Sequence, residues 1–351
     1  MSINIFLKLK CFSLKKTMNN IFLKKMIKLN NLHKKNCNFF SNVSNVFFQK
    51  KNIKNVEDLP FLPVSIFKNI ELISTKKKNI IKTVVSSGTS SQIRSKINLD
   101  INNSIEQRKV LNKLVINQFG KKRLPMLVID NESILKNDEN ISARKAAITG
   151  FGMIASSTTF VLNKNLDLDY SKLNSFMKNN SGKEFIIFGF TFLVFKILSM
   201  QIKKKYDWSN AYLLHGGGWK KLEKKKISNK EFVSKLKNKF KLKKIINYYG
   251  LVEQIGSIFF ECENCNRFIT SEFSDIIIRD KNFSVCEKNR SGIVQLLSIL
   301  PKSYPGHSIL TEDLGVISGE DDCYCGKKGK YFEINGRVKN VEIRGCGNIK
   351  Y

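Results

Sequence analysis

The segment Thr83–Lys96 is TVVSSGTSSQIRSK, an apolar strand that runs into a loop of small hydroxyl residues around Gly88. Exposed backbone N–H groups, Ser and Thr hydroxyls and a closing lysine are the groups that hold a polyphosphate. The Gly-Lys-Ser/Thr ending of a Walker A loop is missing, so that class of phosphate loop is excluded. By itself the segment leaves two interpretations open, a phosphate-binding loop and a Ser/Gly-rich surface loop.

Short apolar runs alternate with helical segments after this loop. Ile101–Phe119 has helical spacing, and the runs LPMLVID, EFIIFGF, AYLLHGGG and KIINYYG have the character of buried strands. Strands that alternate with helices predict an α/β sheet. After Gly256 the runs SIFFECE, SDIIIRD, GIVQLLSIL and KYFEING are short strands with loops between them, which predicts a barrel or a small antiparallel sheet.

The charge of the chain is strongly basic. Its 351 residues contain 61 Lys and Arg against 29 Asp and Glu, a net charge of +32. A nucleic-acid or anionic membrane surface is one interpretation. A compositional bias toward Lys, Asn and Ile is the other, and we favour it because the lysines are scattered along the whole length. A nucleic-acid partner is therefore not expected.

The first 56 residues contain no acidic side chain. They could form an amphipathic helix on anionic lipid, an organellar transit peptide or a helical lead-in with solvated lysines, and we favour the lead-in. We expect a basic helical extension over residues 1–55, a core over 56–335 and a short tail over 336–351.

The longest apolar run extends from Phe185 to Met200 and includes Lys196. It is shorter than the roughly 20 apolar residues of a membrane span, so it predicts a buried strand that continues into a helix. The eight cysteines do not form the framework of a short secreted protein, which favours a reducing, cytoplasmic location.

Two motifs follow predicted strands in the middle of the chain. LLHGGGWKK places Gly216, Gly217 and Gly218 where backbone can approach a flat ligand or turn sharply. INYYGLVEQIGS places Tyr249 and Glu253 at the end of the next strand, with a carboxylate suited to Mg²⁺ beside phosphate.

Two further motifs lie near the end of the chain. SILTEDLGVI is expected to place Asp313 on a turn after a strand, where a carboxylate suits the paired hydroxyls of a ribose. GRVKNVEIRGC then contains Arg337, Lys339 and Cys346.

The order of hydroxyl-rich loop, glycine loop, YGxxE, Asp turn and GRxK resembles that of the acyl-, aryl- and peptidyl-adenylating enzymes. Within that superfamily the chain is similar to the acyl-protein synthetase (LuxE) group from about Asn30 to the C-terminus. The segments that carry the resemblance are LPFLPVSIFK, SSGTSSQIRSKI, HGGGWK, YGLVEQIGSIFFEC, FSDIIIRD, LPKSYPGHSILTED and GRVKNVEIRGC. It implies the N-terminal domain of an adenylate-forming enzyme, with layered α/β sheets, a small β-barrel-like subdomain and a truncated C-terminal domain.

The resemblance also implies roles for individual residues. Glu253 would hold Mg²⁺, Asp313 would bind the ribose, and Arg337 would mark the hinge to the C-terminal element. Tyr249 would stack near the adenine. The ATP phosphate loop would be formed by Ser86, Ser87, Gly88, Thr89 and Lys96. The adenine pocket would be lined by Gly216, Gly217 and Gly218.

The implied reaction is attack of a fatty or related carboxylate on the α-phosphate of ATP, which gives acyl-AMP and pyrophosphate. No protein nucleophile is needed, so catalysis consists of alignment and charge neutralisation. Enzymes of this group then carry the acyl group on a C-terminal cysteine, for which Cys346 is the match; a surface thiol without function is the alternative. The expected acceptor is a reductase, a carrier protein or CoA.

Other function classes remain open at this stage. A phenylacetate-type acid–CoA ligase is the nearest enzymatic alternative, and a non-catalytic relative that binds nucleotide or RNA is the other. The phosphate loop departs from the group at Ser90-Ser91, where Thr-Gly is usual, and at Arg94, where Pro is usual. The three histidines, His33, His215 and His307, give no nucleophile–base spacing, so a hydrolase is unsupported.

Two close cysteine pairs occur late in the chain, Cys262 with Cys265 and Cys323 with Cys325. Four thiolates can hold a tetrahedral, structural Zn²⁺. Relatives of the phenylacetate–CoA ligase type have a comparable site. Four free thiols are the alternative.

Overall fold

The computed structural model describes residues 3–49, 52–86, 93–120, 122–136, 140–202, 206–218 and 227–338, with side chains from residue 20 onward except at Asn140. The chain forms two compact units. The first unit comprises Met1–Ser74 and Ile269–Tyr351, and the second comprises Thr75–Phe268.

The strands are β1 Leu62–Pro63, β2 Ile80–Val85, β3 Lys96–Asp100, β4 Pro125–Asn131, β5 Asn140–Ser142, β6 Ser157–Leu162, β7 Phe185–Phe190, β8 Ala211–Gly216, β9 Lys244–Tyr249, β10 Phe259–Glu261, β11 Phe268–Ile269, β12 Ser274–Arg279, β13 Gly292–Ser298, β14 Ser308–Glu320 and β15 Lys330–Arg337. The α-helices are α1 Ile3–Asn36, α2 Asn38–Phe47, α3 Ile66–Asn69, α4 Ile101–Phe119, α5 Ala143–Gly152, α6 Tyr170–Asn179, α7 Thr191–Val194 and α8 Asn229–Phe240.

The second unit is built on a parallel sheet in the order β6–β4–β7–β8–β9, with β10 antiparallel to the outer side of β9. Phe190 pairs with Gly216, and Gly216 pairs with Tyr248. The carboxyl ends of β7, β8 and β9 are therefore level. The predicted α/β sheet is confirmed, and its level strand ends form the edge at which open α/β sheets bind ligands.

The core of the second unit lies beneath these strands. Leu127, Ile187 and Leu213 are completely buried, and Phe232 and Leu236 of α8 join the same cluster. Burial on both faces explains why the central strands are continuous apolar runs. The apolar run that begins at Phe185 forms β7, then α7, then a π-helical segment over Phe195–Gln201, as a buried strand continuing into a helix.

A smaller sheet in the order β3–β2–β5 carries the hydroxyl-rich loop between β2 and β3. β5 is parallel to β2 and leads directly into α5. Arg144, in the first turn of α5, forms an ion pair with Asp130 near the carboxyl end of β4. Because Asp130 is only 1% exposed, this pair ties the start of α5, which follows the small sheet, firmly to the carboxyl end of β4.

The first unit contains an antiparallel sheet in the order β12–β13–β14–β15, with β1 parallel to β14. The small antiparallel sheet that was predicted for the short strands after Gly256 is therefore confirmed. None of the helices within the described residues is long and apolar enough to cross a bilayer.

One local expectation needs correction, and one strand had no counterpart in the sequence analysis. Asp313 does not lie on a turn, because β14 continues from Ser308 to Glu320 as one long strand. The acidic and glycine residues around Asp313 resemble a turn, but pairing with β13 and β15 keeps them extended. Strand β6 was not anticipated because its first half is polar and exposed, and only Phe160–Leu162 are buried.

Candidate functional site

The glycine loop begins at the carboxyl end of β8. A Cβ atom on Gly216 would lie 2.6 Å from Tyr248 Cε1 and 2.7 Å from the Tyr248 carbonyl oxygen. Gly217 has φ +78°, in the left-handed region that favours glycine. Around the Cβ position of Gly218 no described atom lies within 4 Å. A side chain at Gly216 would therefore displace Tyr248.

The two tyrosines at the end of β9 contact different aromatic side chains. Tyr248 is buried, with its ring centroid 5.3 Å from that of Phe151, and burial raises its pKa above the ordinary value. Tyr249 packs between Phe259 and Phe268, with centroid distances of 6.2 and 5.8 Å. The predicted role of Tyr249 stays a prediction, and Tyr248, which the sequence analysis did not single out, lies against Gly216. The signal that could have found Tyr248 was the alternation of adjacent strand residues between opposite faces of a sheet.

Glu253 follows β9 on a short 3₁₀ turn, Val252–Gln254, and is 5% exposed. The next turn packs tightly on α4, since a Cβ on Gly256 would lie 3.0 Å from Gln107 Cβ. The carboxylate is thus held on a rigid segment just beyond the strand ends. A buried carboxylate of this kind is a suitable oxygen ligand for a divalent cation.

The base of the hydroxyl-rich loop is closed by two reciprocal hydrogen bonds. Ser86 N–H donates to the Ser95 carbonyl, and Ser95 N–H donates to Ser86 Oγ, both at 3.0 Å. Lys96, the first residue of β3, is exposed and pairs opposite Val85. Lys96 and Ser86 thus flank the mouth of the loop. The other predicted loop residues, Ser87, Gly88 and Thr89, lie outside the described residues.

Asp313 and Arg337 are brought together in the first unit. They are direct neighbours across β14 and β15, and Arg337 Nε donates to Asp313 Oδ1 at 3.2 Å. The Asp313 backbone N–H donates to Thr311 Oγ at 3.0 Å. The Asp313 side chain is 9% exposed and that of Arg337 is 73% exposed. The arrangement is a carboxylate held in place by an accessible guanidinium. Cys346 lies outside the described residues.

Each cysteine pair lies on a tight turn within its own unit. In the second unit, Cys262 N–H donates to the Arg267 carbonyl at 2.9 Å, and Asn266 N–H donates to the Cys262 carbonyl at 2.7 Å. In the first unit, the Sγ atoms of Cys323 and Cys325 are 2.9 Å apart. Each turn is a suitable setting for a pair of thiolate ligands.

His215 lies one residue before the glycine loop but faces the core. It is 1% exposed, its ring is 4.8 Å from that of Phe232, and its Nδ1 is 3.1 Å from Thr191 Oγ. Burial lowers the pKa of His215 to about 3, so the imidazole is neutral near pH 7.

Comparison with known proteins agrees with this geometry. The sequence matches the family described as acyl-protein synthetase, LuxE, over residues 5–350. It is 22% identical over 300 residues to a long-chain-fatty-acid–luciferin-component ligase of Vibrio harveyi, a match that covers 84% of this chain and 78% of the relative. The ligase of the same description from Aliivibrio fischeri is 23% identical over 308 residues, with the same coverage.

Among solved structures, the fold is similar to an open conformation of 2-hydroxyisobutyryl-CoA ligase in complex with 2-HIB-AMP and CoA. The TM-score is 0.70 at 11% identity, over 93% of this chain and 71% of the ligase. ATP-bound MatB from Rhodopseudomonas palustris gives a TM-score of 0.51 at 12% identity, over 76% and 49% of the two chains. The α/β fold of adenylate-forming ligases is therefore confirmed. With the family match spanning nearly the whole sequence, the chain belongs to the LuxE family of acyl-protein synthetases.

Proposed function

We propose that the protein activates a fatty or related carboxylic acid with ATP, forming acyl-AMP and pyrophosphate, and transfers the acyl group to a thiol. The observation that carries the proposal is the position of the glycine loop and Glu253, both just beyond level strand ends of one parallel sheet. The family match and the names of the two bacterial relatives support the choice of a fatty acid.

Some of the predicted site residues would bind ATP, and others would neutralise the charge of its phosphates. Lys96 and the loop that Ser86 closes would hold the phosphates, while Gly216–Gly218 would leave room for the adenine. Asp313 would accept hydrogen bonds from ribose hydroxyls, and the Arg337 contact would keep its carboxylate in place. Glu253 fits Mg²⁺ because it is a buried carboxylate on a rigid turn; the bound ion would neutralise charge on the phosphates.

Activation of the acid requires no covalent bond to the protein, because the acid itself is the nucleophile. A carboxylate oxygen of the acid attacks the α-phosphorus, an acyl–phosphate bond forms, and the bond to the β-phosphate oxygen breaks to release pyrophosphate. The enzyme lowers the barrier by alignment and by cations aimed at the phosphates. The acyl group would then pass to the Cys346 thiolate with release of AMP, and from there to a carrier protein, a reductase or CoA.

The test of the proposed function is ATP–pyrophosphate exchange with purified protein and Mg²⁺, across short, medium and long fatty acids and phenylacetate. We expect exchange that depends on a long-chain acid. No exchange with any acid, in protein shown to be folded by circular dichroism, would contradict the proposal. A Cys346→Ala variant that retains exchange but loses covalent acyl labelling would support acyl transfer to that thiol. Undiminished transfer from Cys346→Ala to CoA would instead identify an acid–CoA ligase.

We also propose that Cys262, Cys265, Cys323 and Cys325 hold one structural Zn²⁺, as their spacing in the sequence predicts. The tight turn around each pair supports this, and four protein ligands would leave no open coordination position. We expect about one zinc per chain by elemental analysis, with Cys262→Ser and Cys325→Ser each lowering both zinc content and melting temperature. Cys286→Ser, at a half-buried cysteine outside both pairs, is the control. Equal zinc content in all three variants would refute the site.

A further inference from the structure

The inner face of α1 is held against the first unit by buried side chains. Met26 and His33 are fully buried, and Leu29 is 6% exposed. His33 Nε2 donates to the Pro301 carbonyl at 3.1 Å, and His33 Nδ1 lies 2.8 Å from Ser74 Oγ. These contacts fix the rotation of the helix about its own axis, so its opposite face is turned to solvent.

That exposed face is basic and includes two aliphatic side chains. At about 100° per residue, six exposed side chains of α1 fall within an arc of roughly 100° on the helix surface. Ile21 is 48% exposed and Leu32 is 37% exposed. We call this set the lysine face, and it consists of Ile21, Lys24, Lys25, Lys28, Leu32 and Lys35.

The charge of the lysine face has no local compensation. Residues 1–56 contain twelve lysines and no acidic side chain, and the first acid in the chain is Glu57. In the part of the chain that the structure describes, no ion pair is recorded for the four lysines of this face. A partner that meets this face therefore encounters a concentrated positive field.

We propose that the lysine face binds the surface of an anionic lipid bilayer. A helix that lies on a bilayer combines lysines, which contact the headgroups, with aliphatic side chains that enter the acyl boundary, and Ile21 and Leu32 supply the latter. Single-stranded RNA is bound through stacked aromatic rings and arginine, and the lysine face contains neither. The combination of lysine and aliphatic residues selects lipid over nucleic acid.

Such binding would place the enzyme where long-chain acids partition, and this link alone rests on the proposed function. Lipid binding can be measured without ATP or acid. The result for lipid binding is therefore independent of the result for pyrophosphate exchange.

The test is sedimentation of the full chain with vesicles of phosphatidylcholine alone and of phosphatidylcholine with phosphatidylglycerol at 3:1, in 150 mM salt. Lys24→Glu/Lys28→Glu reverses two charges on the lysine face. Lys230→Glu/Lys237→Glu makes the same change in net charge on exposed positions of α8, in the other unit, and is the matched control. Melting temperatures establish that both variants are folded.

We expect the wild type to sediment only with the anionic vesicles. Lys24→Glu/Lys28→Glu should lower the partition coefficient by about 10- to 30-fold or more, and the control should change it by less than about 3-fold. Equal losses in the two variants would show that overall charge, not the lysine face, causes binding and would overturn the proposal. Tighter binding to a single-stranded RNA of 20 nucleotides, lost in Lys24→Glu/Lys28→Glu, would also overturn it by assigning the face to nucleic acid.

Discussion

Replacement of Glu253 by glutamine is expected to lower acid-dependent ATP–pyrophosphate exchange by about 100- to 1000-fold, the loss typical of removing one preorganised electrostatic group. Glutamine preserves the size of the side chain but removes the negative charge that a divalent cation requires. Because Glu253 is 5% exposed and lies on a short turn, a neighbouring carboxylate cannot readily take its place. The measurement is exchange rate against Mg²⁺ concentration with the best acid.

Glu261→Gln is the matched control for this variant. Glu261 belongs to the same unit, is 9% exposed, and accepts a hydrogen bond from Asn229 at 2.6 Å. It lies at the end of β10, which is separated from β8 and its glycine loop by β9. We expect Glu261→Gln to retain exchange within about 3-fold while losing some stability. A Glu253→Gln enzyme as active as Glu261→Gln would remove Glu253 from the catalytic machinery.

Acidification is expected to destabilise the first unit through His33 and His307. Both side chains are 0% exposed, and their rings stack with a centroid distance of 4.8 Å. Burial lowers the pKa of His33 to about 4, although its bond to Pro301 opposes the shift. Burial, together with the neighbouring His33, lowers the pKa of His307 well below its ordinary value.

The sign of the effect follows from proton binding. Each histidine takes up a proton near pH 6.5 in the unfolded chain but resists it in the folded unit, so stability is full above pH 6.5 and falls as the pH drops below it. For His33 the expected loss is about 2 kcal/mol between pH 6.5 and pH 5, and His307 adds a loss of the same sign. Denaturant midpoints at pH 8, 7, 6 and 5 measure it.

The His307→Phe and His33→Phe variants separate the titration from the packing. Neither ring nitrogen of His307 has a hydrogen-bond partner among the described residues, whereas His33 bonds to Ser74 and Pro301. His307→Phe should therefore reduce the acid sensitivity with little cost at pH 8. His33→Phe should destabilise the unit at every pH because it leaves the Pro301 carbonyl without its donor. Identical pH profiles for wild type and His307→Phe would refute the prediction.

Much of the fold was predictable because its signals are local. The predicted helix over Ile101–Phe119 matches α4, and its N-cap, Asp100, accepts a hydrogen bond from Asn103 N–H at 2.7 Å. The central strands were found from their apolar runs, since burial on both faces removes polar residues. Strand β6 was not predicted because half of its residues are polar. Asp313 was predicted on a turn because local composition could not show that pairing with β13 and β15 keeps this part of β14 in a strand.

Some residues of the candidate site could likewise be selected from local sequence signals, and others could not. Gly216 and Glu253 could be selected from the sequence alone because a glycine run after a strand and a carboxylate after the next strand each have a local chemical meaning. The roles of all the predicted site residues stay predictions, and Ser87, Gly88, Thr89 and Cys346 also lie outside the described residues. The division at residues 55 and 335 stays a prediction as well.

The order of strands and helices in the chain predicted an α/β sheet with a glycine loop after one of its strands, and the motifs carried a resemblance to the family that the comparison then showed. Only the tertiary structure decided that Tyr248 covers Gly216, that Arg337 holds Asp313, and that His33 meets His307. The physical reason is that these contacts join residues far apart in sequence. Such pairs depend on strand register and on the packing of helices, and the periodicity of a local segment carries no information about either.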